Sequence, residues 1–245
     1  MKTEHSLQGK TFLVTGGARR VGKALALGIA QAGGDVVIHY GRSQAQAQAT
    51  AGEIEAAGSR AWLLQADLND PAQVQTLVER AWERTPLAGV VNSAAIFAPV
   101  GWDDTTLGAW EQHLRINLTA PFLLSQTFAL RLPPEREGVI LNIVDWRALR
   151  PGADHLPYTV SKAGLTALTQ ALAVALGPRI TVNALALGAI LPPSDGGDTA
   201  PVVRGLPVER WAELEEVQAA TVFLLGGPRY ITGEIIHLDG GRHLI

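Results

Sequence analysis

The chain predicts an α/β fold: one doubly wound parallel sheet with helices on both faces. Three observations carry this expectation. Short apolar runs rich in β-branched residues recur, stretches of helix formers lie between them, and glycines mark the junctions. Thr11 to Thr15 is the first such strand, and it breaks at Gly16-Gly17 before an Ala/Leu-rich helix from Gly22 to Ala32. Gly33-Gly34 ends that helix, and Asp35 to Tyr40 is the second strand. Ala45 to Ala57 is rich in helix formers until Gly58 stops it, and Ala61 to Ala66 is a third strand. Asn69 or Asp70 can cap the next helix, whose first turn holds Pro71. Leu87 to Val91 returns to strand character. Beyond it, helical patterns over Leu107 to Leu130 and Tyr158 to Leu176 bracket a strand at Gly138 to Val144, with further strands at Ile180 to Ala184 and Glu234 to Leu238.

No repeat, low-complexity tract or long linker divides the chain, so residues 1–245 are expected to form one domain. Pro192 to Gly205, dense in Pro, Gly and Asp, is expected to contain no regular element. Ligands of such sheets bind outside the carboxyl ends of the strands, so this late segment is a candidate substrate loop. A solvated surface loop would have the same composition.

At 47% hydrophobic residues the 245-residue chain can bury a sizeable core. Its balance of 20 basic and 23 acidic residues, net −3, favours neither nucleic acid nor an anionic membrane. With no cysteine, thiolate nucleophiles, thiolate metal sites and disulfides are excluded, which fits a reducing cytoplasm. The first ten residues lack an apolar core, and no stretch reaches the roughly 18 uninterrupted apolar residues of a membrane span. A soluble, cytoplasmic protein is the expectation. The six histidines show no pair at metal-ligand spacing, and no metal is expected.

The turn after the first strand, Gly16-Gly17-Ala18-Arg19-Arg20-Val21-Gly22, permits close backbone approach, and the following helix offers unpaired N–H groups and a positive dipole end. A diphosphate fits there, although glycines also serve plain turns. A site for NAD usually places an acidic residue at the end of the second strand, to bind the ribose diol. Here His39-Tyr40-Gly41-Arg42-Ser43 offers a guanidinium and a hydroxyl instead, with Arg20 nearby. That set suits a 2′-phosphate and points to NADPH; Arg42 as a solvated loop arginine is the alternative. Asp67-Leu68 at the end of the third strand could hold the adenine edge, or Asp67 could cap the next helix.

Tyr158-Thr159-Val160-Ser161-Lys162 places a phenol and an ammonium on one helix face. An unperturbed tyrosine titrates near about 10, and an adjacent cation lowers that value. The pair is a candidate acid/base, though Tyr-x-x-x-Lys is also an ordinary helix surface pair.

With TGGARRVG, VNSAA, YTVSK and ITGEIIHLDGG in this order, the sequence resembles the short-chain dehydrogenase/reductase family over essentially its whole length. The resemblance implies a Rossmann fold. It implies that Tyr158 exchanges the proton, that Lys162 binds the nicotinamide ribose and lowers the tyrosine pKa, and that Asn117 supports a proton-relay water. It also extends the cofactor site to Gly16, Arg20, Val21, Gly22, Asn92, Ala94 and Gly188, and suggests pairing of the uncharged helix Ala163 to Leu176 across subunits in a homodimer or homotetramer. Asn92 and Asn117 could equally serve as a strand-end turn and a helix hydrogen bond.

The departures from the family pattern are informative. Arg20 stands at the middle glycine of the turn, and Asp145, 13 residues before Tyr158, stands where most members carry a substrate-binding serine. An ionised aspartate cannot donate a hydrogen bond to a carbonyl, but it can accept one from Tyr158. With the His-Tyr-x-Arg-Ser strand end, these features resemble the pteridine reductase branch. That resemblance implies reduction of a pterin or folate C=N bond, with Phe97 stacked on the pterin and Arg20 reaching both cofactor and substrate. Phe97 as an ordinary core aromatic is the alternative. Ala95 and Leu187 depart from the branch and from the family. A carbonyl compound such as a 3-oxoacyl thioester is the alternative substrate.

Overall fold

The computed structural model describes residues 6–192 and 200–245. The apolar runs form β1 (Thr11–Val14), β2 (Asp35–Tyr40), β3 (Ala61–Gln65), β4 (Gly89–Asn92), β5 (Gly138–Asp145), β6 (Ile180–Leu187) and β7 (Ile235–Leu238). They pair in the order β3-β2-β1-β4-β5-β6-β7, every neighbour parallel. β1, β4 and β6 are buried along their whole length, because helices cover both faces of a parallel sheet; this is why they read as continuous apolar runs rather than alternating ones.

Between the strands lie α1 (Arg20–Gln31), α2 (Gln44–Ala56), α3 (Pro71–Trp82), α4 (Leu107–Leu114), α5 (Ala120–Arg131) and α6 (Leu156–Leu176), followed by α7 (Ala200–Val203) and α8 (Leu214–Gly226). Asp70 caps α3 by accepting from the Ala72 N–H at 2.9 Å, with Pro71 opening the helix. Two large core clusters fill the two sides of the sheet, with a small third one of Val144, Leu165, Ala184 and Ala186. Leu25, Ile29, Ile54 and Val217 pack on one side, and Leu77, Leu124, Phe128 and Ile140 belong to the other.

Three features differ from the sequence expectation. The single helix foreseen over Leu107 to Leu130 is interrupted by a π-helical turn at Arg115–Thr119. Pro121 has no N–H to give the Asn117 carbonyl, so an α-helical turn there cannot close and the chain widens. The segment from Pro192 to Gly205 is not wholly irregular, since α7 lies within it; Pro201, with its pre-set φ, sits in that helix's first turn. Residues 193–199 of this candidate loop lie outside the described residues. Finally, α8 packs against α1 where Gly28 lets Gln218 approach; a Cβ at Gly28 would stand 2.8 Å from the Gln218 Cβ.

Among the described helices, α6 alone is long and apolar enough to cross a bilayer, and its Leu165 and Ala173 are buried against the sheet. Its opposite face is open: Val174 is 87% exposed, and Val160 is exposed too. Leu107 and Leu130 likewise stand free of the core on α4 and α5.

Candidate active site

β1 and β4 are neighbours whose chains leave in opposite directions across the sheet, which opens a crevice at their carboxyl ends. Gly16 turns there with φ +66°, a conformation that favours glycine. A Cβ on Gly22 would stand 2.1 Å from the Gly16 carbonyl oxygen, so only glycine lets α1 start so close to the turn. Arg20, the first residue of α1, holds a left-handed φ of +52°, an uncommon and strained state for a branched-free but bulky side chain. Its Nη2 donates to the Pro192 carbonyl at 3.2 Å, which ties the turn to the start of the late loop. α1 has no side-chain cap and no acidic residue in its first turn, so its positive end suits an anion. The turn therefore fits a dinucleotide diphosphate.

Two side chains that the sequence reading gave no role hold this turn. Thr15 Oγ1 accepts from the Ser93 and Ala94 N–H groups at 2.9 and 3.1 Å, locking β4's exit to β1's. Buried His39 accepts the Gly16 N–H on Nδ1 at 3.2 Å, and its Nε2 pairs with the Ala66 carbonyl at 3.1 Å. The second contact requires Nε2 to carry the hydrogen, so the ring is neutral; burial lowers its pKa to about 4. The position of a histidine at a strand end was visible, but not the direction of its ring.

Arg42 is exposed just past β2, and half-buried Ser43 begins α2 without capping it. Asp67 caps no helix: its Oδ1 accepts from the Asn69 N–H at 2.9 Å within the turn. Leu68 is 7% exposed and belongs to the core, so only its backbone can face a ligand. Val21 is half-buried beside the turn. Gly188, after β6, is packed so tightly that a Cβ would stand 2.5 Å from the Asp239 Cα.

The reacting groups gather where β5 ends and α6 begins. The Tyr158 hydroxyl donates to Asp145 Oδ2 at 3.1 Å, and the Arg147 N–H donates to Asp145 Oδ1 at 2.9 Å. Burial pushes the Asp145 carboxyl above the usual range, against the pull of these hydrogen bonds and of Lys162. Tyr158 is raised well above its ordinary value, first by burial and then by the Asp145 charge and hydrogen bond. The expectation that Lys162 lowers the tyrosine pKa is thus outweighed here by burial and Asp145. Lys162 Nζ donates to the Ile143 carbonyl at 2.7 Å and lies 5.7 Å from the Tyr158 ring centre, and burial brings it down to about 8.

Asn117 sits in the π turn with its side chain saturated. It accepts from the Ile96 N–H at 2.9 Å and donates to the Ile96 carbonyl and Ser161 Oγ, both at 3.0 Å. It thereby clamps the segment after β4 that carries Phe97 to the helix that carries Tyr158. Asn92 donates to Asn142 at 2.8 Å, while its own Oδ1 is buried without a partner and remains able to accept. Phe97 is 53% exposed, so it is not a core aromatic. It stacks on His155 at 3.8 Å and meets Tyr158 edge-on at 4.6 Å.

These are the parts of a dinucleotide-dependent oxidoreductase. The family model described as Enoyl-(Acyl carrier protein) reductase matches residues 16–243. The chain is 31% identical over 241 residues to a 3-oxoacyl-[acyl-carrier-protein] reductase of Synechocystis, covering 96% of this chain and 98% of that one. It is 33% identical to an L-rhamnose 1-dehydrogenase of Sphingomonas, covering 97% and 98%. Among solved structures, FolM alternative dihydrofolate reductase 1 from Brucella canis, complexed with NADP, superposes with a TM-score of 0.90 at 37% identity, covering 98% of this chain and 96% of that one. A short-chain dehydrogenase from Burkholderia cenocepacia in complex with NADP superposes with a TM-score of 0.89 at 38% identity, covering 96% and 98%. The chain belongs to the short-chain dehydrogenase/reductase family.

Proposed function

We propose that the protein reduces the C=N bond of a pterin or folate with NADPH. The observation that carries this reading is the 3.1 Å hydrogen bond from Tyr158 to Asp145 beneath the exposed ring of Phe97. In this site the reduced nicotinamide supplies a hydride to carbon, and the nitrogen of the same bond needs one proton. Tyr158 holds its proton at neutral pH and hands it on; Asp145, with a raised pKa, is the carboxyl through which the proton returns. An ionised Asp145 draws the tyrosine hydrogen toward itself and offers a ketone oxygen no donor, whereas a pterin presents N–H groups that such a carboxylate accepts. Phe97 gives the flat heterocycle a stacking face.

Lys162 binds the nicotinamide ribose, Arg42 and Ser43 bind the 2′-phosphate, and Arg20 lies between the diphosphate and the substrate. Asp67, the Leu68 backbone, Asn92, Ala94 and Gly188 line the rest of the cofactor site. Asn117 acts by holding Phe97 and Tyr158 in register through its side chain, and a relay water would rest on its backbone carbonyl. The solvent-facing apolar residues of α4, α5 and α6 support a homodimer or homotetramer, and the lack of cysteine supports a cytoplasmic setting.

A second reading, reduction of a 3-oxoacyl thioester, is favoured by the name of the Synechocystis relative. The two are separated by NADPH oxidation measured side by side with dihydrobiopterin, dihydrofolate and an acetoacetyl thioester. Turnover of the pterins well above the thioester is the expected result; turnover of the thioester alone would replace the first reading with the second.

A further inference from the structure

A basic cavity lies next to the Tyr158–Asp145 pair and has no part in the proton transfer. Its volume is about 330 Å³, and Trp146, Arg150, Arg204 and Arg242 stand in its wall with no aspartate or glutamate among the lining residues. Trp146 directly follows Asp145, and the Arg242 guanidinium in the cavity wall feels the Asp145 charge, which places the cavity beside the reacting carboxyl. Two guanidinium groups lie over the indole, Arg242 at 4.4 Å and Arg147 at 5.0 Å from its ring centre. Arg147 is neutralised by Asp154 at 2.5 Å. Arg150, Arg204 and Arg242 are not: among the described residues none of the three is in an ion pair, and Arg242 donates only to the Val202 carbonyl, at 2.9 Å. Burial, and then the nearby Arg147 charge, push the Arg242 pKa down against the opposing pull of Asp145, Asp239 and Asp154.

Three guanidinium groups around a concavity, none of them in an ion pair among the described residues, suit an anion, and their planar forks suit a carboxylate in particular. A bare pterin brings none, whereas a folate carries an aryl spacer and a glutamate with two carboxylates. We propose that this cavity receives the glutamate tail of a folate-type substrate, the aryl spacer running past Trp146, so that the protein discriminates folates from tailless pterins. The proposal rests on the pterin reading of the active site. Another anion-bearing tail, the phosphates of a coenzyme A thioester, belongs to the competing carbonyl reading.

The test uses the Arg150→Gln/Arg204→Gln double variant, both positions being exposed and outside the proton-transfer site. KM is measured for dihydrofolate, dihydrobiopterin and acetoacetyl coenzyme A, with the NADPH dissociation constant and melting temperature as controls on folding. Loss of charge-assisted contacts is expected to raise the KM ratio of dihydrofolate to dihydrobiopterin by about tenfold or more. An unchanged ratio would overturn the proposal while leaving the pterin reading intact. A rise confined to the coenzyme A thioester would overturn it in favour of a phosphate tail. Failure of the wild-type protein to reduce either pterin would remove the functional reading itself, and the tail assignment with it.

Discussion

The backbone N–H of Gly16 donates to Nδ1 of His39 at 3.2 Å, which makes the phosphate turn depend on a buried neutral ring at the end of the second strand. The unfolded ring takes a proton near its ordinary 6.5, whereas the folded one resists until about 4. Between these values the unfolded state binds more protons, so stability falls as pH falls through that window. The urea midpoint is therefore expected to drop between pH 7 and pH 4.5, and His39→Asn, which cannot titrate, should show a smaller drop. An equal drop in both proteins would place the acid sensitivity elsewhere.

Gly22→Ala tests the closeness of the turn to its helix. The added methyl would meet the Gly16 carbonyl oxygen at 2.1 Å, and backbone rather than a flexible side chain must move. NADPH binding, followed by fluorescence titration, should be lost or weakened by more than about tenfold, the scale of one lost charge-assisted contact. Retained affinity would mean that the diphosphate is held elsewhere.

On the proposed reading, Arg42 carries the choice between the two nicotinamide cofactors. Removing one charge-assisted contact of about 1.5 to 3 kcal/mol by Arg42→Ala should raise the NADPH dissociation constant about tenfold or more, with NADH little affected. Equal wild-type affinity for NADH and NADPH would contradict the assignment.

The succession of strands along the chain, the phosphate turn and the Tyr158–Lys162 helix are legible because each leaves a local trace: β-branched runs, paired glycines, a spacing of four. The strand β6 runs three residues past its foreseen end because Leu185, Ala186 and Leu187 suit a buried strand and a buried helix equally well. α8 is hidden for a related reason: its buried Val217, Thr221, Leu224 and Leu225 share one face, but the apolar Val222 and Phe223 lie off it and blur the stripe, although Glu213 and Glu216 form a capping box at its start. Within the site, Asp145 was found by its distance from Tyr158 in the sequence. The roles of Thr15, His39 and Ser161 depend on where rings and hydroxyls point across sequence separations of 23 to 79 residues, and no local pattern encodes that.

Assembly is the next expectation. Val174, 87% exposed on the uncharged stretch Ala163 to Leu176 of α6, leaves apolar surface that a second copy would cover. Light scattering at micromolar concentration should give a dimer or tetramer, and Val174→Asp should shift it toward monomer. A monomeric wild-type protein would leave that face to solvent and contradict the expectation.

The central claim is that Tyr158 and Asp145 act as one proton-transferring unit selective for a heterocycle. Tyr158→Phe keeps the ring and should preserve NADPH binding while lowering turnover, typically by about 10² or more. Asp145→Ser restores a neutral donor, so it should depress pterin reduction while sparing or raising activity on ketones, and adding it to Tyr158→Phe should cost little beyond Tyr158→Phe alone. The most direct measurement is the ratio of pterin to ketone kcat/KM in wild type and Asp145→Ser. A fall in that ratio is the predicted result; an unchanged ratio with undiminished pterin turnover would show that Asp145 takes no part and would move the carbonyl reading ahead.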